Sequence, residues 1–288
     1  MKGIIKSLRI KQWLKNSFLL AALVFDRQLT NFSAAARILG GIIIFSILSS
    51  SVYIFNDIFD AEADKMHPKK KNRPIASGQV KIRDAVIIGI VLAAASIYWA
   101  YKLSNAFFAI CLVYLFMNFL YSQWLKHVPL VDVMIIASGF VLRVAAGVTL
   151  IKVERFSPWM YVVTTLLALY IGFGKRRAEL SIMSEDANQH RKVFNGYTIE
   201  FLDQLITIVS GTTIVAYSLY TFSAPNLPEN HSMMLTIPFV IYGIFRYLYL
   251  IKVKKEGGAP EELVLQDVPL LSSLVLWALS VLVIFYLT

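Results

Sequence analysis

Long apolar runs separated by short polar segments dominate the pattern along this 288-residue chain. Runs of about 20 apolar residues are long enough to cross the roughly 30 Å hydrocarbon core of a bilayer as α-helices. A shorter run, residues 17–25, is interpreted as a further crossing if its amphipathic flanks complete it, with an interfacial helix as the alternative. The pattern therefore predicts an all-α, polytopic membrane protein of about nine helices. The eight longer runs lie near residues 38–60, 84–101, 105–123, 130–151, 158–174, 202–222, 234–251 and 268–287.

Composition and charge agree with this class. The chain is 57% hydrophobic and 16% charged, too apolar for an ordinary soluble domain. Of the 28 lysines and arginines, 21 fall on the side that carries the N-terminus, which the positive-inside rule makes cytoplasmic. We therefore expect a multi-pass protein of the cell's inner (plasma) membrane. The net charge of +10 reflects topology and attraction to anionic headgroups, so the lipid bilayer is an expected partner and nucleic acid is not.

Sequence chemistry also limits the redox and processing possibilities. A single cysteine, Cys111, lies inside an apolar run, so no intramolecular disulfide can form, and no Cys/His cluster suggests a transition-metal site. The first 16 residues carry charges without a preceding apolar core, so we expect no cleavable signal peptide.

An acidic motif ends the first long apolar run. If the helix continues through it, Asp57, Asp60 and Asp64 share one face, and Asn56 lies one turn before Asp60. Three carboxylates on one face repel each other unless cations lie among them, and Mg²⁺ prefers such oxygen ligands together with substrate phosphates. The motif predicts a Mg²⁺ site with Asp57, Asp60 and Asp64 as ligands and with Asn56, Asp57 and Asp60 as catalytic residues. The alternative is a solvated helix end whose acids offset the lysines that follow.

Basic residues recur where they can meet phosphates. The loop after the acidic motif, residues 65–83, is rich in cations and includes Arg73. In the N-terminal segment, Lys11 and Lys15 are one α-helical turn apart, so one face could clamp the phosphate of a lipid. The alternative is an interfacial anchor with Trp13 at headgroup level.

Two further spans carry polar residues. Asn118 and Tyr121 share one helix face, and Lys126 follows where it can meet a phosphate, although belt aromatics and a topology charge are the alternative. Arg143 lies in the middle of a span, where an ionised side chain needs a partner or an aqueous cavity. We assign it to a substrate chamber, with a structural ion pair or backbone-carbonyl contact as the alternative.

Two of these segments together resemble a known family. Asn56-Asp57-x-x-Asp60-x-x-x-Asp64, followed by Asn72-Arg73-Pro74-Ile75-x-Ser77-Gly78, is similar to the first aspartate-rich motif and loop of the UbiA superfamily of intramembrane prenyltransferases. The similarity covers nearly the whole chain. It implies that residues 1–288 form a single UbiA-like transmembrane domain, with nine helices around a cavity open to the cytoplasmic side and to the lipid.

One departure from the family pattern refines this resemblance. Prenyltransferases of the superfamily carry a second aspartate-rich motif, where this chain has Lys175, Arg176 and Glu179. This basic segment resembles the phosphoribosyltransferase branch of the superfamily. Further residues that carry the resemblance are Glu185-Asp186, His190-Arg191 and the upstream Lys11-Gln12-Trp13-x-Lys15-Asn16.

That branch implies Mg²⁺-dependent transfer of a 5-phosphoribosyl group from phosphoribosyl diphosphate to a polyprenyl phosphate, with release of diphosphate. Transfer of a prenyl group from a prenyl diphosphate to an aromatic acceptor is the alternative, and a membrane transporter is a more distant one. Homo-oligomerisation stays open. The resemblance implies donor-phosphate ligands at Arg73, Lys175 and Arg176, acceptor-phosphate ligands at Lys11, Lys15 and Lys126, and a cavity lined by Asn118, Tyr121, Arg143 and Glu179.

Overall fold

All regular secondary structure in the described residues is helical. The computed structural model describes residues 2–66, 70–153, 157–183, 196–225, 227–256 and 260–286. Its α-helices are α1 (Lys2–Ser7), α2 (Leu20–Phe25), α3 (Phe32–Phe59), α4 (Ala61–Lys65), α5 (Ile82–Leu103), α6 (Asn105–Gln123), α7 (Val131–Val148), α8 (Pro158–Met183), α9 (Ile199–Ser223), α10 (Ile237–Lys252), α11 (Pro260–Gln266) and α12 (Val268–Tyr286). Shorter 3-10 helices include Ile10–Leu19, Lys70–Asn72, Leu125–His127 and Ser232–Thr236.

Seven helical stretches of the described chain are long and apolar enough to cross a membrane: α3, α5, α6, α7, α9, α12 and Ser232–Lys252, which includes α10. The predicted helical membrane protein is thus confirmed, but the count of nine is not. The run near residues 158–174 forms α8, which is 26 residues long but is not among these seven.

The predicted crossing at residues 17–25 is not one long helix. A 3-10 helix, Ile10–Leu19, leads into α2, whose six residues rise only about 9 Å. Trp13 Nε1 donates a hydrogen bond to Ser50 Oγ at 2.9 Å, and Asn16 Nδ2 donates to Ser46 Oγ at 2.9 Å. These polar contacts with α3 hold the segment against that helix, a packing that apolar run length does not encode.

The chain forms two compact units. The first comprises Met1–Lys126 and Leu142–Val153, and the second comprises His127–Val141 and Glu154–Thr288, with the boundary inside α7. In the first unit, α3 packs against α5 and α6 around Phe45 and other fully buried side chains. Gly147 permits a close approach here, because a Cβ atom would lie only 2.3 Å from the carbonyl oxygen of Leu19.

The second unit has its own core, formed where α8 and α9 pack together and where α10 packs on α12. Tyr170 is almost completely buried in this core, and its hydroxyl donates to the carbonyl oxygen of Ile244 at 2.7 Å. The contact satisfies the phenol inside an apolar environment, where an unpaired hydroxyl would be costly.

Candidate active site

The acidic motif lies where α3 gives way to α4, with Asp60 between them. The break does not interrupt the helical hydrogen bonds, since the Asp60 N–H donates to the Asn56 carbonyl at 2.9 Å and the Asp64 N–H donates to the Asp60 carbonyl at 2.8 Å. The helical path therefore continues through the motif.

Arg73 bridges two of the three aspartates. Its Nη1 donates to Asp57 Oδ1 at 3.0 Å and to Asp64 Oδ2 at 2.5 Å. The side chains of Asp57 and Asp64 are only 3% and 5% exposed, whereas that of Arg73 is 24% exposed. One partly exposed guanidinium thus offsets the repulsion between two buried carboxylates.

A second arginine binds the same oxygen of Asp57. Arg9 Nη2 donates to Asp57 Oδ1 at 2.5 Å, and its guanidinium lies over the ring of Tyr53, 5.2 Å from the centroid. Asp57 therefore receives one arginine from the N-terminal segment and one from the loop after α4.

Asp60 has a separate set of partners. Its carboxylate forms an ion pair with Lys126 and accepts a hydrogen bond from Asn56 Nδ2 at 3.3 Å. Ser122 Oγ in turn donates to Asn56 Oδ1 at 3.1 Å. We call the whole set the aspartate cluster: Arg9, Asn56, Asp57, Asp60, Asp64, Arg73, Ser122 and Lys126.

The aspartate cluster unites six residues that the sequence singled out, namely Asn56, Asp57, Asp60, Asp64, Arg73 and Lys126. Its three carboxylates are matched by three cations, so it is formally neutral. No group of three or more His, Cys, Asp and Glu side chains converges as a metal site within the described ranges. The oxygen donors nevertheless suit Mg²⁺ in kind, and the cations are arranged as ligands for phosphate.

Backbone packing holds Arg73 in place. Val80 N–H donates to the Pro74 carbonyl at 3.0 Å, and Ile75 and Val80 are buried against α3 and α5. Gly78 has φ +76°, a left-handed conformation that glycine adopts without steric cost. The turn therefore fixes the residues that follow Arg73, while His67, Pro68 and Lys69 lie outside the described residues.

The N-terminal lysines do not share a face as predicted. They lie in a 3-10 helix, in which residues four apart point about 120° away from each other. Lys11 is exposed and Lys15 is half-buried, while Asn16 is buried. Their assignment to the acceptor phosphate stays a prediction, but it cannot rest on α-helical spacing.

Arg143 is buried within the first unit. Its Nε donates to Asn16 Oδ1 at 2.8 Å and its Nη2 donates to the Tyr114 hydroxyl at 3.1 Å. The guanidinium also lies over the rings of Phe45 and Tyr114, at 5.4 and 5.1 Å. These side-chain contacts tie the N-terminal segment to the membrane helices, and the assignment of Arg143 to a substrate chamber stays a prediction.

Two other predicted cavity residues lie on α6. The side-chain amide of Asn118 donates to the carbonyl of Tyr114 on its own helix at 2.8 Å, so part of its hydrogen-bonding capacity is used locally. Tyr121 is half-buried. Their role as cavity residues stays a prediction.

The predicted basic segment of α8 forms a buried network in the second unit. Arg176 Nε donates to Asp132 Oδ2 at 2.6 Å, and its Nη1 donates to Glu179 Oε2 at 2.5 Å. The Tyr197 hydroxyl donates to Asp132 Oδ1 at 2.7 Å and accepts from the Leu130 N–H. Burial raises the pKa of Tyr197, and the hydrogen bond to Asp132 raises it further. We call Asp132, Arg176, Glu179 and Tyr197 the Asp132 cluster.

The two predicted donor-phosphate ligands on α8, Arg176 and Lys175, differ in their exposure to solvent. The side chain of Arg176 is only 5% exposed and that of Asp132 is completely buried, whereas Lys175 is half-buried on the same helix. Glu185-Asp186 and His190-Arg191, which contributed to the family resemblance, lie outside the described residues.

Arg9 is the main member of the aspartate cluster that the sequence did not single out. It adopts a left-handed conformation, φ 50° and ψ 50°, at the start of the 3-10 helix. Such a conformation is uncommon for a residue other than glycine, and the presence of an arginine does not predict it. The only available signal was its place among the alternating cations of the N-terminal segment.

Comparison with known proteins identifies the class. The chain belongs to the UbiA prenyltransferase family, whose model matches residues 17–265, and it is therefore an integral membrane transferase. Decaprenyl-phosphate phosphoribosyltransferases of Mycobacterium tuberculosis and Corynebacterium glutamicum are each 30% identical to it, over 92% and 99% of this chain and 88% and 87% of theirs. A solved UbiA homologue from Archaeoglobus fulgidus, bound to GPP and Mg²⁺, matches with a TM-score of 0.74 at 19% identity, over 97% of this chain and 96% of that one. These findings confirm the predicted family and its fold.

Proposed function

We propose that this chain transfers a 5-phosphoribosyl group from phosphoribosyl diphosphate to a polyprenyl phosphate and releases diphosphate. The observation that carries the proposal is the aspartate cluster, which combines oxygen donors for a metal with cations for phosphate. The similarity to two decaprenyl-phosphate phosphoribosyltransferases supports the choice of substrates. We place the reaction at the inner membrane, with the N-terminus and the cluster facing the cytoplasm.

Asp57, Asp60 and Asp64 are the proposed ligands of Mg²⁺. A bound Mg²⁺ ion would stabilise the negative charge that develops on the leaving diphosphate. The carboxylates of the cluster fit this role in kind, and the Archaeoglobus homologue was solved with Mg²⁺ bound. Asn56 keeps Asp60 oriented through its 3.3 Å hydrogen bond.

Two of the three cations of the cluster, Arg9 and Arg73, bind and orient the donor. Arg73 and Arg9 carry planar guanidinium groups suited to bidentate contacts with phosphate oxygens. In the reaction, the bond between ribose C1 and the diphosphate oxygen breaks, and a bond between C1 and a phosphate oxygen of the lipid forms. Because that lipid oxygen is already anionic, no general base is needed.

The remaining predicted site residues are assigned to the lipid phosphate, the donor phosphates and the cavity. We assign the lipid phosphate to Lys11, Lys15 and Lys126, and further donor-phosphate contacts to Lys175. The assignment of Arg176 to the donor phosphates stays a prediction, and because its guanidinium is engaged with Asp132 and Glu179, any contact with the donor must form while those pairs are kept. Asn118, Tyr121, Arg143 and Glu179 complete the proposed set of cavity residues.

The test uses purified protein in detergent with Mg²⁺, labelled phosphoribosyl diphosphate and a medium-chain polyprenyl phosphate. We expect organic-soluble label that is lost when EDTA is added. A preparation that makes no lipid-linked label, but consumes prenyl diphosphate with an aromatic acceptor, would contradict the proposal and leave the family assignment intact. Flux of a ligand across vesicles without bond cleavage would instead indicate a transporter.

A further inference from the structure

We infer that Arg9 and Arg73 occupy the carboxylates of the aspartate cluster when no ligand is present, and that a phosphate-bearing ligand draws them away as the metal binds. Arg9 is thereby a further ligand-binding residue of the site. The inference rests on the proposed metal site, but not on the identity of the transferred group. Its main consequence is that a divalent cation alone binds weakly and gains affinity when diphosphate is present.

One oxygen of Asp57 is already occupied by two arginines. Its Oδ1 atom already accepts from Arg9 at 2.5 Å and from Arg73 at 3.0 Å, and its side chain is only 3% exposed. An oxygen with two charged donors and little access to solvent has no lone pair left for a metal. A metal ion can use Oδ1 only after at least one guanidinium leaves.

The net charge of the aspartate cluster also does not favour the binding of a metal ion by itself. With three carboxylates and three cations the cluster is formally neutral, so it exerts little net attraction on a free divalent ion. Adding a metal while both arginines remain would place four cationic groups among three carboxylates. A diphosphate brings the compensating negative charge, and its oxygens suit guanidinium groups at least as well as a carboxylate does.

The arginine side chains, and not the carboxylates, can change position. The side chains of Arg9 and Arg73 are 26% and 24% exposed, whereas those of Asp57 and Asp64 are 3% and 5% exposed. The carboxylates belong to continuous helical backbone, while each guanidinium ends a long side chain. Rotation of two side chains is therefore enough to exchange one set of partners for the other.

Metal and phosphate should consequently bind with positive coupling. By thermodynamic linkage, whatever factor the phosphate ligand adds to metal affinity the metal must add to phosphate affinity. Removing one arginine should strengthen binding of the metal alone and weaken this coupling. A site built only from carboxylates would show neither effect.

The test measures binding of Mn²⁺, a spectroscopic substitute for Mg²⁺, to the full chain in detergent by electron paramagnetic resonance. We expect Arg9→Gln to bind Mn²⁺ alone at least about 5-fold more tightly than the wild type, the lower end of typical coupling. The matched control is Arg83→Gln, which removes an equal charge from an exposed position at the start of α5. It should bind Mn²⁺ as the wild type does.

A second measurement follows labelled inorganic diphosphate in equilibrium dialysis with and without Mg²⁺. Magnesium should tighten diphosphate binding by at least about 5-fold in the wild type and by a clearly smaller factor in Arg9→Gln. Unchanged Mn²⁺ affinity in Arg9→Gln, or an equal gain in Arg83→Gln, would overturn the exchange. Where Arg9→Gln is not monodisperse, Arg73→Gln provides the same comparison with the same expected result.

Neither measurement depends on turnover. If the coupling is found but no phosphoribosyl group is transferred, the proposed substrates are wrong and the exchange stands. If transfer is found without coupling, the proposed function stands and the exchange is wrong.

Discussion

The aspartate cluster and the Asp132 cluster are both built from arginines and carboxylates, yet they differ in access to solvent. In the first, Arg9 and Arg73 are about one quarter exposed and share Asp57. In the second, Arg176 is 5% exposed against an Asp132 that is fully buried. A buried ion pair is costly to open because both charges lose their partners, whereas a partly exposed arginine can exchange its carboxylate for another anion. The same chemical groups therefore suit ligand exchange in one place and fixed architecture in the other.

The hydrogen bonds around each cluster support this contrast. Tyr197 and Arg176 bind the two different oxygens of Asp132, so that carboxylate holds the segment just before α9 and the C-terminal part of α8 to the start of α7. Asp57, by comparison, has two arginines on a single oxygen. Asp132 is thus arranged to fix three helices, and Asp57 is arranged to change partners.

The largest expected effect comes from the exchangeable cluster. Asp57→Asn should lower kcat/KM for phosphoribosyl transfer by at least about 1,000-fold, or about 4 kcal/mol of transition-state stabilisation, because it removes a proposed metal ligand. The control is Glu62→Gln, since Glu62 is 82% exposed and its ion pair among the described residues is with Lys65 on its own helix. Activity within about 10-fold of wild type in the aspartate variant would contradict the assigned site.

Next in size is the effect of breaking the fixed cluster. Asp132→Asn should destabilise the protein by about 3 kcal/mol, because buried Arg176 loses its fully buried charged partner and keeps the partly exposed Glu179. The effect is measured as a lower midpoint of thermal unfolding in detergent. Glu179→Gln, at a side chain 27% exposed, should cost less than about 1 kcal/mol. If the two variants unfold at the same temperature, the structural role assigned to the buried Asp132–Arg176 pair is wrong.

Arg143 extends the comparison to a second buried arginine. Arg143→Lys should cost about 1.5 kcal/mol, because a lysine cannot reproduce the paired contacts with Asn16 and Tyr114. Thermal unfolding and Michaelis constants should be measured together. A raised KM for the lipid with unchanged unfolding would show that Arg143 lines the substrate chamber, as first predicted, and does not serve packing.

The smallest effect concerns a partly exposed ion pair, Arg246 with Asp267. Arg246 donates to both carboxylate oxygens of Asp267, at 3.0 and 2.8 Å, and these hydrogen bonds hold the pKa of Asp267 below its usual range. A lowered folded-state pKa adds stability above the unfolded value, near pH 4, which is lost as pH falls toward the folded value. Thermal unfolding followed from neutral to acidic pH should show this loss. In Asp267→Asn the acid-induced decrease should be smaller, and an identical profile would contradict the assignment.

Sequence patterns predicted the class of fold because apolar runs of membrane length are a direct physical requirement of the bilayer. They also predicted that Asp57, Asp60 and Asp64 would lie together, since helical periodicity alone relates them. The motif's spacing could not reveal which cations would bind which carboxylate. Those pairings join residues 9 to 66 positions apart, such as Arg73 with Asp64 and Lys126 with Asp60.

Other predictions were wrong or missing because the local structure differs from the one that the sequence pattern assumes. The lysines at 11 and 15 were placed on one face by assuming 3.6 residues per turn, but the segment is a 3-10 helix. The role of Arg9 was not predicted, because its position depends on its own left-handed backbone conformation, which the sequence around an arginine does not indicate. The burial of Arg176 depends on Asp132, 44 residues earlier in the chain, and local sequence gives no sign of that pairing.

The most direct test of the contrast is a structure of the chain with Mg²⁺ and phosphoribosyl diphosphate, determined under conditions that prevent turnover. In that structure we expect Arg9 and Arg73 to leave Asp57 for the ligand's phosphates, while Arg176 remains bound to Asp132. Arginines still paired with Asp57 beside a bound metal and diphosphate would contradict this expectation.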